Sequence, residues 1–261
     1  PANIPTGMKN DLLEQTAIQR MKELVHHKEW YNARREWNRH FLRLNEKQRH
    51  AMAYLAKDWQ WHSQAIIGAA KLKKWNDLDL RFPLEYPDLY RKYTKRSQIP
   101  FNWALSITRK ESAFNPRAQS GVGARGLMQL MPRTATETAN YIQQRYSGKR
   151  ELYKPATNIS LGTAYLAQMR DRFGSQIYAT AAYNAGPHRV KKWLKARGNL
   201  PLDIWIELIP FKETRKYVQT VLEYGVVYDT LANLDARLMQ DNEQQMLVLS
   251  QLEAEQRTGE L

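Results

Sequence analysis

Cysteine is absent from the 261-residue sequence. That excludes a disulfide framework, a cysteine-ligated zinc site and thiol catalysis, though it does not fix the compartment. No uninterrupted apolar stretch approaches the roughly 18–20 residues that a membrane-spanning helix needs. Sustained period-2 alternation is also missing, so strands should be few and short. Acidic residues are in deficit, 26 against 40 Lys and Arg, which gives a formal net charge of +14 and a sequence pI near 9.8. What is present suffices for a core: 43% of residues are hydrophobic and 11% aromatic, which argues against disorder. The chain opens Pro1-Ala2-Asn3, with neither an initiator Met nor a basic-then-apolar leader. It reads as a mature or trimmed product and as a soluble, basic, globular protein.

The organisation follows the charge. Residues 1–97 carry +8, residues 98–230 carry +10 and residues 231–261 carry −4. The first segment reads as helices in hairpins. Leu13, Ala17, Met21 and Leu24 recur every three or four residues, with Ile18 and Val25 widening the stripe. Asn45 and Gln48 have capping-box spacing. Five of the eight tryptophans (Trp30, Trp37, Trp59, Trp61, Trp75) fall here, as packing between helix pairs would require. Phe82-Pro83-Leu84-Glu85-Tyr86-Pro87 breaks helix twice and reads as a linker. Beyond it, helices are expected from Phe101 to Phe114, from Pro132, from Asn158 (read as a cap) to Phe173, from Pro187, between Pro201 and Pro210, and from Glu213. The last 31 residues read as a polar C-terminal helical tail. The expected fold class is mainly α: a helical-hairpin unit over 1–97, then a second domain over 98–230.

Glu111 is the most informative residue. At about 100° per residue, Asn102, Ser106, Arg109 and Lys110 share one arc of their helix, and Trp103, Ile107 and Phe114 share the other. Glu111 falls in the middle of the apolar arc. A carboxyl placed there loses water, so its pKa should rise toward the range a general acid needs. On position alone, a buried structural carboxylate paired with a base fits equally well.

Other patterns carry less. Gly121-Val122-Gly123-Ala124-Arg125-Gly126 matches the letters of a dinucleotide fingerprint, but a helix and the Asn115-Pro116 break precede it where a strand is required. Its glycines suit close backbone approach or a small β-turn. No helical histidine pair is present, and no metal or other cofactor is expected. Net basicity alone could serve nucleic acid, yet no nucleic-acid motif accompanies it, and that partner is not expected.

Four motifs in order raise the specificity: Glu111-Ser112-Ala113-Phe114-Asn115-Pro116; Gly123-Ala124-Arg125-Gly126-Leu127-Met128-Gln129-Leu130-Met131-Pro132; Ala181-Ala182-Tyr183-Asn184-Ala185-Gly186-Pro187; and Glu207-Leu208-Ile209-Pro210 through Glu213-Thr214-Arg215-Lys216-Tyr217-Val218. Together they resemble the soluble lytic transglycosylases, over about residues 76–230. Residues 1–97 resemble the linker end of that family's long helical region, so the chain is similar to a C-terminal portion or a shortened relative. The resemblance implies a goose-lysozyme-like catalytic domain with a very small β element, a periplasmic location, and peptidoglycan glycan strands and muropeptides as partners.

Residue by residue, the resemblance implies Glu111 as the single catalytic acid. It implies Ser120, Gln129, Met131 and Thr134 as lining sugar subsites, Tyr183 and Asn184 as a central tyrosine motif, Glu207 as a carboxylate in the cleft, and Tyr217 as a tyrosine near the acid. Departures occur at Phe114, Gly121, Arg133 and His188, and these bear on subsite preference, not reaction class. A two-role glycosidase normally needs two carboxylates at a set separation. Glu111 has no sequence neighbour of that kind before Glu137. A mechanism with one carboxylate and help from the substrate fits that absence, and the resemblance implies Glu111 as acid and then base, giving 1,6-anhydro-muramyl ends. A hydrolase of the same fold and a non-catalytic basic scaffold are the competing classes.

Overall fold

Helices α1 (Thr6–Leu13), α2 (Thr16–His26), α3 (Trp30–Phe41), α4 (Glu46–Asp58), α5 (His62–Lys71) and α6 (Leu78–Arg81) open the fold in the computed structural model, which describes residues 6–198 and 200–238. These helices form one compact unit, running to Glu85 and taking in Ala113–Asn115. Its centre is aromatic. Trp37 is fully buried, stacks on Phe41 at 5.6 Å and meets Trp61 edge-on at 5.7 Å. Gly68 allows α5 to approach α4, since a Cβ there would stand 3.0 Å from that of Ala53. The Asn45–Gln48 capping box opens α4 as the spacing predicts. Left-handed residues follow the ends of α2, α4 and α5, but these are Lys28, Gln60 and Lys73 rather than glycine.

The second compact unit comprises Tyr86–Ser112 and the chain from Pro116 on. Helix α7 (Pro87–Ser97) therefore groups with it, and the division falls inside the Phe82–Pro87 stretch. The other helices are α8 (Phe101–Ser112), α9 (Pro132–Tyr141), α10 (Pro155–Phe173), α11 (Gln176–Ala185), α12 (Pro187–Arg197), α13 (Leu202–Glu207) and α14 (Lys212–Leu231), with a 3₁₀ turn over Lys149–Tyr153. Proline takes the first turn of α7, α9, α10 and α12, where its missing N–H costs nothing. Helix α8 packs on α14, and α10 packs on α7 and α11. Trp103 Nε1 donates to Thr180 Oγ1 at 2.9 Å inside this core.

The β structure among the described residues is two antiparallel bridges, Gln119 to Arg125 and Arg125 to Leu130. One reading of the sequence is corrected. Asn158 does not cap α10, because Pro155 occupies the first turn and moves the N-cap to Lys154. Asn158 lies inside the helix, fully buried. Past Leu231 the described residues are non-helical, and the expected tail from 239 on lies outside the described residues. No described helix is long and apolar enough to cross a membrane.

Candidate active site

Helix α8 carries Glu111 to its C-terminal end, one turn beyond the fully buried Ile107. The carboxyl is half-buried and its pKa is pushed up to about 7. Loss of water is the main cause. A hydrogen bond from Tyr217 and the charge of Lys110 oppose it, and the carboxylate of Glu213 adds to it. Tyr217, in the second turn of α14, donates its hydroxyl to Glu111 Oε1 at 2.6 Å. Burial and the neighbouring Glu111 raise the Tyr217 pKa well above the usual phenol range, so it remains a donor in either charge state of Glu111.

Just past Glu111 the helix is broken by strain. Ala113 (φ 49°) and Phe114 (φ 61°) are both left-handed. For a bulky aromatic that is an outlier, at a cost of about 1–2 kcal/mol per residue. Phe114 is 1% exposed. Ser112 Oγ donates to Leu127 O at 2.7 Å and ties the helix end to the glycine-rich turn.

Asn158 organises that turn. Its Oδ1 accepts from Met128 N at 2.7 Å, and its Nδ2 donates to Arg125 O at 2.9 Å and Leu152 O at 2.8 Å. The packing is close enough to require glycine at 126. That residue has φ +78°, and a Cβ would lie 2.0 Å from Leu152 O. Gly162 on α10 likewise makes room for the Met128 side chain. Gln129 is left-handed at φ 46°, and its Nε2 donates to Ala118 O and Gly126 O at 3.1 and 2.8 Å. Ser120 Oγ accepts from Ala124 N at 3.0 Å. Met131, 40% exposed, is the N-cap of α9, and Thr134 follows in its first turn, half-buried.

Tyr183, on α11, donates to Met128 O at 2.7 Å. Burial and then the charge of Glu111 raise its pKa, so the two groups lie within electrostatic reach. Asn184 Oδ1 accepts from Thr214 Oγ1 on α14 at 2.7 Å. The structure thus joins Glu111 and Tyr217 by a hydrogen bond, puts Tyr183 within electrostatic reach of Glu111, and connects Ser120, Gln129 and Met131 through the turn that Tyr183 holds. Glu207 has different neighbours. It is exposed at the end of α13, accepts from Gln219 Nε2 at 2.7 Å, and borders a shallow cavity with Asp203 and Glu223. The carboxylate that acts on Glu111 is Glu213, a residue the motif reading passed over. Its place four residues before Tyr217, on the same face of α14, was the available signal. Among the described residues no group of three or more His, Asp or Glu side chains could hold a metal ion.

A helix-built domain with a minimal β turn beside one carboxyl raised toward neutrality is of the lysozyme-like class. Residues 88–206 match the transglycosylase SLT domain, residues 11–78 the soluble lytic murein transglycosylase L domain, and residues 208–236 the soluble lytic transglycosylase helical domain. The chain belongs to the soluble lytic murein transglycosylase family. It is 38% identical over 244 residues to the soluble lytic murein transglycosylase of Salmonella typhimurium, covering 92% of this chain and 38% of that protein. An inactive glutamate-to-glutamine mutant of the lytic transglycosylase Slt from Pseudomonas aeruginosa superposes with a TM-score of 0.86 at 40% identity, covering 93% of this chain and 40% of the other. The 70 kDa soluble lytic transglycosylase of Escherichia coli gives the same TM-score at 36% identity, covering 93% and 39%, and has also been solved with bulgecin A. The chain thus spans about two fifths of the length of these relatives.

Proposed function

We propose that this chain cleaves the β-1,4 bond between N-acetylmuramic acid and N-acetylglucosamine in peptidoglycan and leaves 1,6-anhydro-muramyl ends, in the periplasm. The observation that carries the proposal is the Glu111 carboxyl, raised to about 7 by burial and held by Tyr217. At neutral pH such a group has protons to give and, once it has given one, is basic enough to take one back. In the first step Glu111 transfers its proton to the glycosidic oxygen, and the substrate's N-acetyl group assists at the anomeric carbon as that C–O bond breaks. In the second, carboxylate Glu111 removes the proton of the muramyl 6-hydroxyl, whose oxygen closes onto the anomeric carbon. The acid is regenerated and no water is consumed.

The names of the relatives support the reaction class and the murein substrate. Gln129, Met131, Tyr183 and Asn184 supply amide and aromatic surface suited to sugars, which bind through hydroxyls, acetamido groups and apolar ring faces. Ser120, Thr134 and Glu207 complete the proposed substrate contacts. Muropeptides follow as ligands because they carry the same sugars.

Mass analysis of fragments released from purified sacculi tests the reaction. Wild-type products should be lighter by one water than hydrolysis products. Glu111→Gln, which can neither give nor take the proton, should lose more than the roughly 10²–10⁴-fold typical of one acid–base step. Reducing-end products would make the protein a lysozyme-like hydrolase. Full activity in the Gln variant would remove Glu111 from the chemistry.

A further inference from the structure

Thr214 lies on the buried face of α14, three residues before Tyr217, and is 2% exposed. At about 1.5 Å and 100° per residue, the two side chains stand about 4.5 Å apart along the axis and about 60° apart around it. They share one face, and Tyr217 is the residue that donates to Glu111. The start of α14 is itself held by Arg215, which donates through Nε and Nη2 to Ile209 O at 3.3 and 2.8 Å. Thr214 is thus a fixed point one turn from the partner of the carboxyl.

What it holds is the amide of Asn184, next to last in α11. Thr214 Oγ1 donates to Asn184 Oδ1 at 2.7 Å. The two ends of an Asn side chain are almost the same shape, so hydrogen bonding decides which way the amide is turned. Here the single hydroxyl proton goes to Oδ1. Asn184 is half-buried, and its Nδ2 makes no hydrogen bond among the described residues and is not sealed off from solvent. The amide therefore keeps its acceptor against α14 and turns its two N–H donors outward.

We infer that Thr214 is a positioning residue for the proposed reaction: it fixes the rotation of the Asn184 amide so that this side chain meets the glycan as a donor. The matching group on the substrate is an oxygen acceptor, an acetamido carbonyl or a sugar hydroxyl oxygen. Thr214 touches no substrate in this role and acts only through Asn184. Without its hydroxyl both rotations of the amide become available, and the turned one sets Oδ1 against an oxygen that it cannot bond. The substrate part of the inference rests on Asn184 as a contact in the proposed function; the rotation of the amide does not.

The test is calorimetric binding of a short soluble oligosaccharide of alternating N-acetylmuramic acid and N-acetylglucosamine to the Glu111→Gln protein. Thr214→Val, close in size but without the hydroxyl, should weaken that binding about fivefold, the scale of one neutral hydrogen bond. Thr214→Ser should keep wild-type affinity. In an Asn184→Ala background Thr214→Val should cost nothing further, because its effect passes through that amide. With Glu111 present, Thr214→Val should raise KM and leave the alkaline limb of the kcat/KM–pH profile in place, since the Tyr217 bond is untouched. The side-chain amide signals of Asn184 in the NMR spectrum of the free protein read the rotation without substrate. They should move in Thr214→Val and hold their place in Thr214→Ser. Unmoved signals, unchanged affinity in Thr214→Val, or equal losses with and without the Asn184 amide would overturn the assignment. Each of these can occur while anhydro products are still found, so such a failure is distinct from one in the product analysis.

Discussion

The proton on Glu111 is held by competing neighbours. Burial raises its pKa, and the hydroxyl of Tyr217 stabilises the carboxylate and lowers it. Removing that hydroxyl leaves the first effect unopposed. Tyr217→Phe should therefore move the alkaline limb of the kcat/KM–pH profile to higher pH, on the order of one unit, the size expected for a lost short hydrogen bond to a carboxylate. A limb that stays put, or moves to lower pH, would mean that Tyr217 does not control this proton. The same shift has a consequence for stability. Folded Glu111 titrates near 7 against a reference of 4.5, so between those values the folded state binds more protons than the unfolded. Stability from this group is complete below about 4.5 and is lost as pH rises through about 7. Glu111→Gln escapes that loss and can still accept from Tyr217. It should unfold at a higher temperature than wild type at pH 8, by up to about 3 kcal/mol, and show no advantage at pH 4. Melting curves at the two pH values check this.

At the scale of elements, the site depends on a turn with little regular structure of its own. Three backbone groups, those of Met128 and Leu152 buried and that of Arg125 partly so, end on one side chain, Asn158. Asn158→Ala would leave Met128 N, Arg125 O and Leu152 O without it, at about 1–3 kcal/mol for each group left unsatisfied. The expected loss is therefore about 3 kcal/mol or more in urea unfolding, with catalysis impaired because Gln129 and Met131 ride on the same turn. A loss below about 1 kcal/mol would show that the turn holds without Asn158.

The same turn is the part of the site least legible in the sequence. Helix starts at Pro132 and Pro187 were legible because proline is suited to a first turn, and the apolar period placed Glu111 among buried neighbours. The role of Asn158 was not legible, because an Asn near a helix start reads as a cap. Its real partners lie 6, 30 and 33 residues away. The ends of α2, α4 and α5 were obscured for a related reason: tertiary packing puts Lys28, Gln60 and Lys73 in the conformation that glycine would have announced. Glu213 was passed over although it is four residues from Tyr217. A motif names residues, whereas the electrostatic effect follows the helix face.

At the scale of the whole molecule, the charge excess has a place as well as a size. Lys191, Lys192 and Lys195 are exposed on α12 and have no acidic partner among the described residues. Adding Arg189 and Arg197, this one helix carries five of the chain's 40 basic side chains and no acidic ones. On the proposed function the partner is peptidoglycan, which carries carboxylates on its muramyl groups and stem peptides, so such a face should steer the polymer before any specific contact forms. Screening shortens the reach of exposed charges from about 10 Å at 0.1 M salt to about 3 Å at 1 M. Binding of the non-cleaving Glu111→Gln variant to intact sacculi should therefore weaken by about tenfold or more over that range, as co-sedimentation would measure. Replacing Lys191, Lys192 and Lys195 with Gln should flatten the salt dependence and lower the low-salt affinity. Turnover of a short soluble oligosaccharide of alternating N-acetylmuramic acid and N-acetylglucosamine, which carries few carboxylates, should change much less in either case, because Glu111 is shielded by burial. If salt instead depressed that turnover as strongly as sacculus binding, the charge would be acting on the chemistry, and its role as a steering surface would fall.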